Sequence, residues 1–136
     1  TVFKKMYTYI ISNNLYNPNW SICTSSKPLY VLLPIVPDLL ETNFTKLKAV
    51  NDYSSQLFIS EKRLGQATSK VLGKTPKEII NERILLEAKR FLVYSHLTIK
   101  EIGQDLGFED PAYFVRYFKK NTETTPVEFR EKYLSK

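Results

Sequence analysis

The chain has 136 residues, 43% of them hydrophobic and 13% aromatic, which excludes a disordered polyelectrolyte and predicts one compact domain or a pair of very small ones. Twenty Lys and Arg face fourteen Asp and Glu, a net charge of +6, compatible with a polyanionic partner without requiring one. One cysteine, Cys23, and one histidine, His96, exclude an internal disulfide and a thiolate-rich zinc site and leave any triad dependent on a single residue. No enzyme, cofactor or metal is expected, and the cysteine count fits a reducing cytoplasm.

In chain order, "VFKKMYTYIIS" (2–12) reads as a short amphipathic helix with Val2, Phe3, Met6 and Ile10 on one side. "SNNLYNPNWS" and "CTSSKPL" follow, rich in Asn, Ser and Pro, and read as loop or linker. "LYVLLPIVPDLL" (29–40) is too short to span a bilayer and contains Pro34 and Pro37. The chain starts at Thr1 without a charged-then-apolar signal segment. A soluble piece of something longer is expected, with no membrane partner. Tyr7, Tyr9, Tyr16, Trp20 and Tyr30 are expected to pack rather than to line a ligand pocket.

From about Asp38 the pattern becomes helical, and two segments, 50–79 and 99–129, match by position. Leu57 pairs with Leu106, and Ser54 with Gly103, at an offset of 49. Ser60 pairs with Asp110, Leu64 with Phe114, Lys70 with Lys120, and Thr75-Pro76 with Thr125-Pro126, at an offset of 50. One residue is therefore added in the second turn. Each unit reads as helix, tight turn, helix, the form of a helix-turn-helix. Ser60 and Asp110 are suited to N-cap the second helices, and Pro111 suits a first helical position. The small residue at 54 or 103 allows the two helices to cross closely. In the second unit Thr98 and Glu101 have capping-box spacing, and Gly107 can take the positive φ that ends the front helix.

Between the units, "TPKEIINERILLEAKRFLVYS" (75–95) opens with Thr75, Pro76 and Glu78, another capping box with proline at its start. Ile80, Ile84, Ala88 and Phe91 follow helical spacing, and Ile79, Leu85, Leu86 and Leu92 widen the apolar surface. About 20 residues at 1.5 Å each give a rod of roughly 30 Å. "TPVEFREKYLS" (125–135) repeats the Thr-Pro-x-Glu start and gives a final helix.

In a DNA-reading helix-turn-helix, exposed positions near the start of the second helix meet base edges in the major groove. Phe114 and Phe118, with Leu106 and Phe108, form the expected core of the second unit, leaving Ala112, Val115, Arg116 and Lys119 outward, with Lys120 beside them. Arg grips guanine O6 and N7 with two hydrogen bonds, and Lys suits phosphate as a point charge. The first unit offers Lys62, Arg63, Gln66, Ser69 and Lys70; Gln pairs with adenine N6 and N7. Residues 60–74 hold Lys62, Arg63, Lys70 and Lys74 against Glu61, a net +3. Residues 110–120 hold Arg116, Lys119 and Lys120 against Asp110, a net +2. Either cluster alone is most simply a solvated face, but the same placement in two units favours DNA. A rod of about 30 Å matches successive major grooves, about 34 Å apart.

These residues resemble the DNA-binding domain of the AraC/XylS family of bacterial transcription regulators, over roughly residues 40–136. The most specific part is "LTIKEIGQDLGFEDPAYFVRYFKKNTETTPVEFR", and "LLEAKRFL" is similar to the family's linker helix. The resemblance implies an all-α fold of about seven helices. Two helix-turn-helix units, about 48–73 and 98–122, are joined by a long linker helix, about 76–95, within a domain spanning 41–136. Residues 1–40 then form a short N-terminal extension, a linker or the remnant of a sensing domain. It also implies binding to double-stranded promoter DNA in the cytoplasm, usually with activation through RNA polymerase, and an effector, if any, bound by a missing N-terminal domain. Lys62, Gln66 and Arg116 become base-contact candidates, and Ser69, Lys70, Lys119 and Lys120 phosphate-contact candidates.

Three departures from the family pattern stand out. Gly65 leaves a groove-facing position without a side chain, Ala112 and Val115 offer only apolar contact, and Glu123 replaces a glycine before Thr-Pro. The last predicts fraying or a different bend at the end of that helix. Two other classes compete. A helical protein-interaction module explains the repeat but not the placement of Arg116, Lys119 and Lys120. A DNA-repair protein with a related domain needs clustered zinc-binding cysteines that Cys23 alone does not supply.

Overall fold

A computed structural model describes residues 35–135, with side chains from Leu39 onward. The predicted helix at 2–12, the loop after it, Cys23 and the aromatic residues from Tyr7 to Tyr30 lie outside the described residues. Among the described residues there are seven helices and no strand: α1 (Ile35–Asn43), α2 (Val50–Gln56), α3 (Glu61–Leu72), α4 (Pro76–Tyr94), α5 (Ile99–Asp105), α6 (Pro111–Thr122) and α7 (Pro126–Leu134). None of these helices is long and apolar enough to cross a membrane. The chain divides into two compact units, one running to Asn43 and resuming over Leu47–Ile80, the other comprising Phe44–Lys46 and the chain from Asn81 onward. The first turn of α4 thus belongs to one unit and its remainder to the other.

The helix starts follow from local chemistry. Thr75, Thr98 and Thr125 each accept the amide of a Glu three residues on, and that Glu accepts the Thr amide in return, at 2.7 to 3.3 Å. Two orphan donors are satisfied at each start. At α2 the arrangement is half complete: Asp52 accepts the Ala49 amide at 3.3 Å, but alanine has no side-chain acceptor, and the Asp52 amide donates to the Ala49 carbonyl instead at 3.2 Å. Ser60 and Asp110 cap α3 and α6 through the amides of Arg63 and Ala112.

The two turns repeat in backbone detail. Leu57, Phe58 and Ile59 donate to the carbonyls of Tyr53, Ser55 and Ser54 at 3.1 Å. Leu106, Gly107 and Phe108 donate to Ile102, Gln104 and Gly103 at 3.0, 2.9 and 2.8 Å, the same pattern 49 residues later. Gly107 takes φ 81° as expected, and its counterpart Phe58 takes φ 56° despite its bulk. A Cβ at Gly103 would lie 3.3 Å from the Phe114 Cβ, so α5 and α6 cross as closely as the small residue suggested.

In the first unit Leu40 of α1 joins Tyr53, Leu57, Leu64, Ala67, Ile79 and Ile80 in the core. Burial first, and the Asp52 charge second, push the Tyr53 phenol up to about 12, while its hydroxyl donates to the Leu47 carbonyl at 2.7 Å. The second unit is aromatic. Phe108, Phe114 and Phe118 are buried as expected, with ring centroids 5.2 and 6.2 Å apart along that series, and Phe118 meets Phe129 at 5.6 Å. Tyr117 donates to Asn81 Oδ1 at 2.7 Å, which ties α6 to α4. Arg130 of α7 donates to the carbonyls of Leu92 and Leu97, covering the end of α4.

Two expectations are corrected here. Leu86 is 52% exposed and forms no part of the buried stripe of α4; Ile79, Ile80, Ile84, Leu85, Ala88 and Leu92 form it. The end of α6 neither frays nor bends away. Glu123 takes φ 66°, matching φ 65° at its counterpart Gly73, and donates its amide to Lys119 at 2.8 Å.

Candidate nucleic-acid interface

An α-helix advances about 100° per residue. On α3 this places Lys62, Arg63, Gly65, Gln66, Ser69 and Lys70 within one arc of roughly 160°, opposite the buried Leu64, Ala67 and Thr68. The same arc on α6 carries Ala112, Tyr113, Val115, Arg116, Lys119 and Lys120, opposite the buried Phe114 and Phe118. Lys62, Gln66, Ser69 and Lys70 are exposed, as are Ala112, Arg116, Lys119 and Lys120. Arg63 and Val115 are half-buried. Each unit therefore brings its candidates onto one face of its second helix.

The repeat register adds a residue that the sequence reading passed over. Tyr113 is the counterpart of Arg63, is 52% exposed, and leans on Phe108 with centroids 5.7 Å apart. The signal was available in the offset of 50 that pairs Lys70 with Lys120, since the same offset carries Arg63 to Tyr113. A Cβ placed on Gly65 meets nothing within 4 Å, so a side chain at this point of the outward arc of α3 would enter open space.

Electrostatically both faces are cationic, with one acid at the start of each helix, Glu61 on α3 and Asp110 at the cap of α6. Asp110 Oδ2 lies 4.0 Å from Arg116 Nη2, both side chains being largely exposed. Lys70, Lys119 and Lys120 also sit in the last turns of α3 and α6, where cations favour the helix dipole. That structural use leaves their ammonium groups in solvent and available to phosphate. Among the described residues no group of three or more His, Cys, Asp or Glu assembles as a metal site. A cavity of about 20 Å³ in the first unit, lined by Leu40, Tyr53, Leu64, Thr68, Pro76, Ile79 and Ile80, has room for about one water.

Fold and surface together define a double helix-turn-helix domain with one outward cationic face per unit. A family model described as a helix-turn-helix domain matches residues 53–132. The chain belongs to that family, the AraC/XylS-type helix-turn-helix domains. Among curated relatives, the lactose operon transcription activator of Staphylococcus xylosus is 29% identical over 93 residues, 68% of this chain and 33% of the activator. The bifunctional transcriptional activator/DNA repair enzyme AdaA of Bacillus subtilis is 25% identical over 119 residues, 83% of this chain and 56% of AdaA. Among solved structures, the C-terminal domain of the two-component response regulator yesN from Fusobacterium nucleatum is 27% identical, with a TM-score of 0.66. That match covers 72% of this chain and 96% of that domain. The chain thus spans about a third of the length of the lactose activator.

Proposed function

We propose that this chain binds double-stranded DNA in a sequence-specific manner, through α3 and α6 in successive major grooves, and regulates transcription, activating it through contact with RNA polymerase. The observation that carries the reading is the matched pair of outward faces, Lys62, Gln66, Ser69 and Lys70 on α3 and Ala112, Arg116, Lys119 and Lys120 on α6. Family membership supports it, and the activating sense is that of the lactose operon transcription activator of Staphylococcus xylosus. Lys62, Gln66 and Arg116 are assigned to base edges, and Ser69, Lys70, Lys119 and Lys120 to phosphates. The helix α4 has 19 residues, which make a rod of about 28 Å. In this reading the chain transforms no substrate, although AdaA joins the same kind of domain to repair chemistry, and it works where promoter DNA lies, in the bacterial cytoplasm.

The test compares two variants on duplex DNA. Arg116→Ala is expected to cost roughly 1–3 kcal/mol on the preferred site and to relax preference at one base pair. Lys120→Ala is expected to weaken all duplexes alike and to lower the salt slope by about 1. Unchanged affinity and preference in Arg116→Ala would remove α6 as a reading helix. Failure of the native chain to bind any duplex at low salt would leave a protein-interaction module instead.

A further inference from the structure

The tandem repeat supplies an internal control for Asp110. Ser60 and Asp110 hold the same place, the N-caps of α3 and α6, and each accepts a backbone N–H, Ser60 Oγ from Arg63 at 3.1 Å and Asp110 Oδ1 from Ala112 at 3.0 Å. A neutral hydroxyl therefore suffices to start this helix. The carboxylate has a second oxygen, and it faces Arg116 at 4.0 Å. The counterpart of Arg116 in the first unit is Gln66, which is neutral. The acid stands where the outward reader is a cation and is absent where the reader is an amide.

Stability gives a poor account of this pairing. The two side chains are 71% and 60% exposed, and such ion pairs contribute little. A carboxylate on a face that meets phosphates also adds repulsion. We infer that Asp110 is a positioning residue for Arg116, an inference that rests on the DNA-reading assignment above. Its Oδ1 accepts the Ala112 amide at 3.0 Å, which orients the carboxylate so that Oδ2 lies 4.0 Å from the guanidinium. A guanidinium reads guanine only when its planar fork meets O6 and N7 together. Left free, a long side chain loses its rotamer freedom on binding and can settle instead on a phosphate of any sequence. Holding it at the start of α6 lowers the ordering cost at the base edge and disfavours the phosphate alternative. Asp110 thereby exchanges general affinity for selectivity.

The experiment uses the full chain, with Asp110→Ser, which copies Ser60, and Asp110→Asn, which keeps the cap without the charge. Binding is measured on the duplex the native chain selects, on duplexes altered at the base pair assigned through Arg116→Ala, and on an unrelated duplex. Circular dichroism checks the helix content of each variant. Both substitutions are expected to reduce discrimination at that base pair roughly threefold to tenfold and to strengthen binding to the unrelated duplex. In an Arg116→Ala background neither should change discrimination, a coupling that a purely structural cap would not produce. If folded Asp110→Ser and Asp110→Asn discriminate as the native chain does, the positioning role is overturned while DNA reading stands. If the native chain selects no sequence at all, the reading fails and the inference falls with it.

Discussion

Four described residues adopt the left-handed backbone region, and only two of them are glycines: Phe58, Gly73, Gly107 and Glu123. A non-glycine residue there costs on the order of 1–2 kcal/mol. At Glu123 the conformation is enforced from both sides. Thr122 donates its hydroxyl to the Phe118 and Thr124 carbonyls at 2.7 and 3.1 Å, and the Thr125–Glu128 capping box fixes the next helix start. The sequence made the missing glycine visible, but not the response of the backbone, because that depends on which neighbours hold it. Glu123→Gly should stabilise the second unit by about 0.5–1 kcal/mol, the relief of strain less glycine's larger entropy in the unfolded chain. Urea denaturation reads this as a higher midpoint at unchanged slope. A lower midpoint would mean that the Glu123 side chain supplies an interaction outweighing the strain.

At the scale of the element, capping was the most legible feature, since donor and acceptor lie three residues apart and need no knowledge of the fold. The boxes at Thr75, Thr98 and Thr125 form as the spacing predicts. Two consequences follow for stability. Ala49 is the only residue among the four matched starts that lacks a side-chain acceptor, although Asp52 already accepts from its amide. Ala49→Thr should complete the box and raise the stability of the first unit by about 1 kcal/mol, seen as a higher melting temperature. No gain would mean that the α2 start is limited by something other than its cap.

The second consequence is a pH dependence. The Thr98 amide, then its hydroxyl, hold the Glu101 carboxyl below the ordinary carboxylate range, and the Thr125 amide and hydroxyl do the same for Glu128. Lower folded pKa values favour the ionised form in the folded state. Each therefore contributes stability that is present above the unfolded value, about 4.3, and is lost as pH falls through the folded value. Thermal melts between pH 7 and pH 3 should show a loss beginning near pH 4.3. Glu101→Gln with Glu128→Gln should flatten that loss while retaining an acceptor at each cap. An acid loss of the same size in the double variant would place its origin elsewhere. What the element-level pattern could not give is burial over longer range. Helical spacing cannot fix the width of a stripe, so Leu86 was placed inside and proves exposed. Nor does any local motif announce that Arg130 would reach Leu92 and Leu97.

At the scale of the whole chain, the repeat was legible because it is written in residue types at fixed offsets, and the turn hydrogen bonds repeat at the same offset. The face it presents was legible too, because burial of Leu64 and Phe114 dictates what lies opposite them. Tyr113 was missed because, of the aromatic residues in this helix, only Phe114 and Phe118 were placed, both in the core, whereas its angular position is that of the half-buried Arg63. Gly65 lies on the outward arc with open surroundings, so α3 presents one outward side chain fewer than α6. Both units are expected to read sequence, the second more stringently.

The measurement that tests this most directly is selection from a pool of randomised duplexes by the native chain, followed by sequencing of what is retained. Two enriched motifs are expected about 10 base pairs apart, centre to centre, the more sharply defined one losing a base-pair preference in Arg116→Ala. Retention without enrichment, vanishing as salt rises, would contradict this and reduce α3 and α6 to basic helix faces.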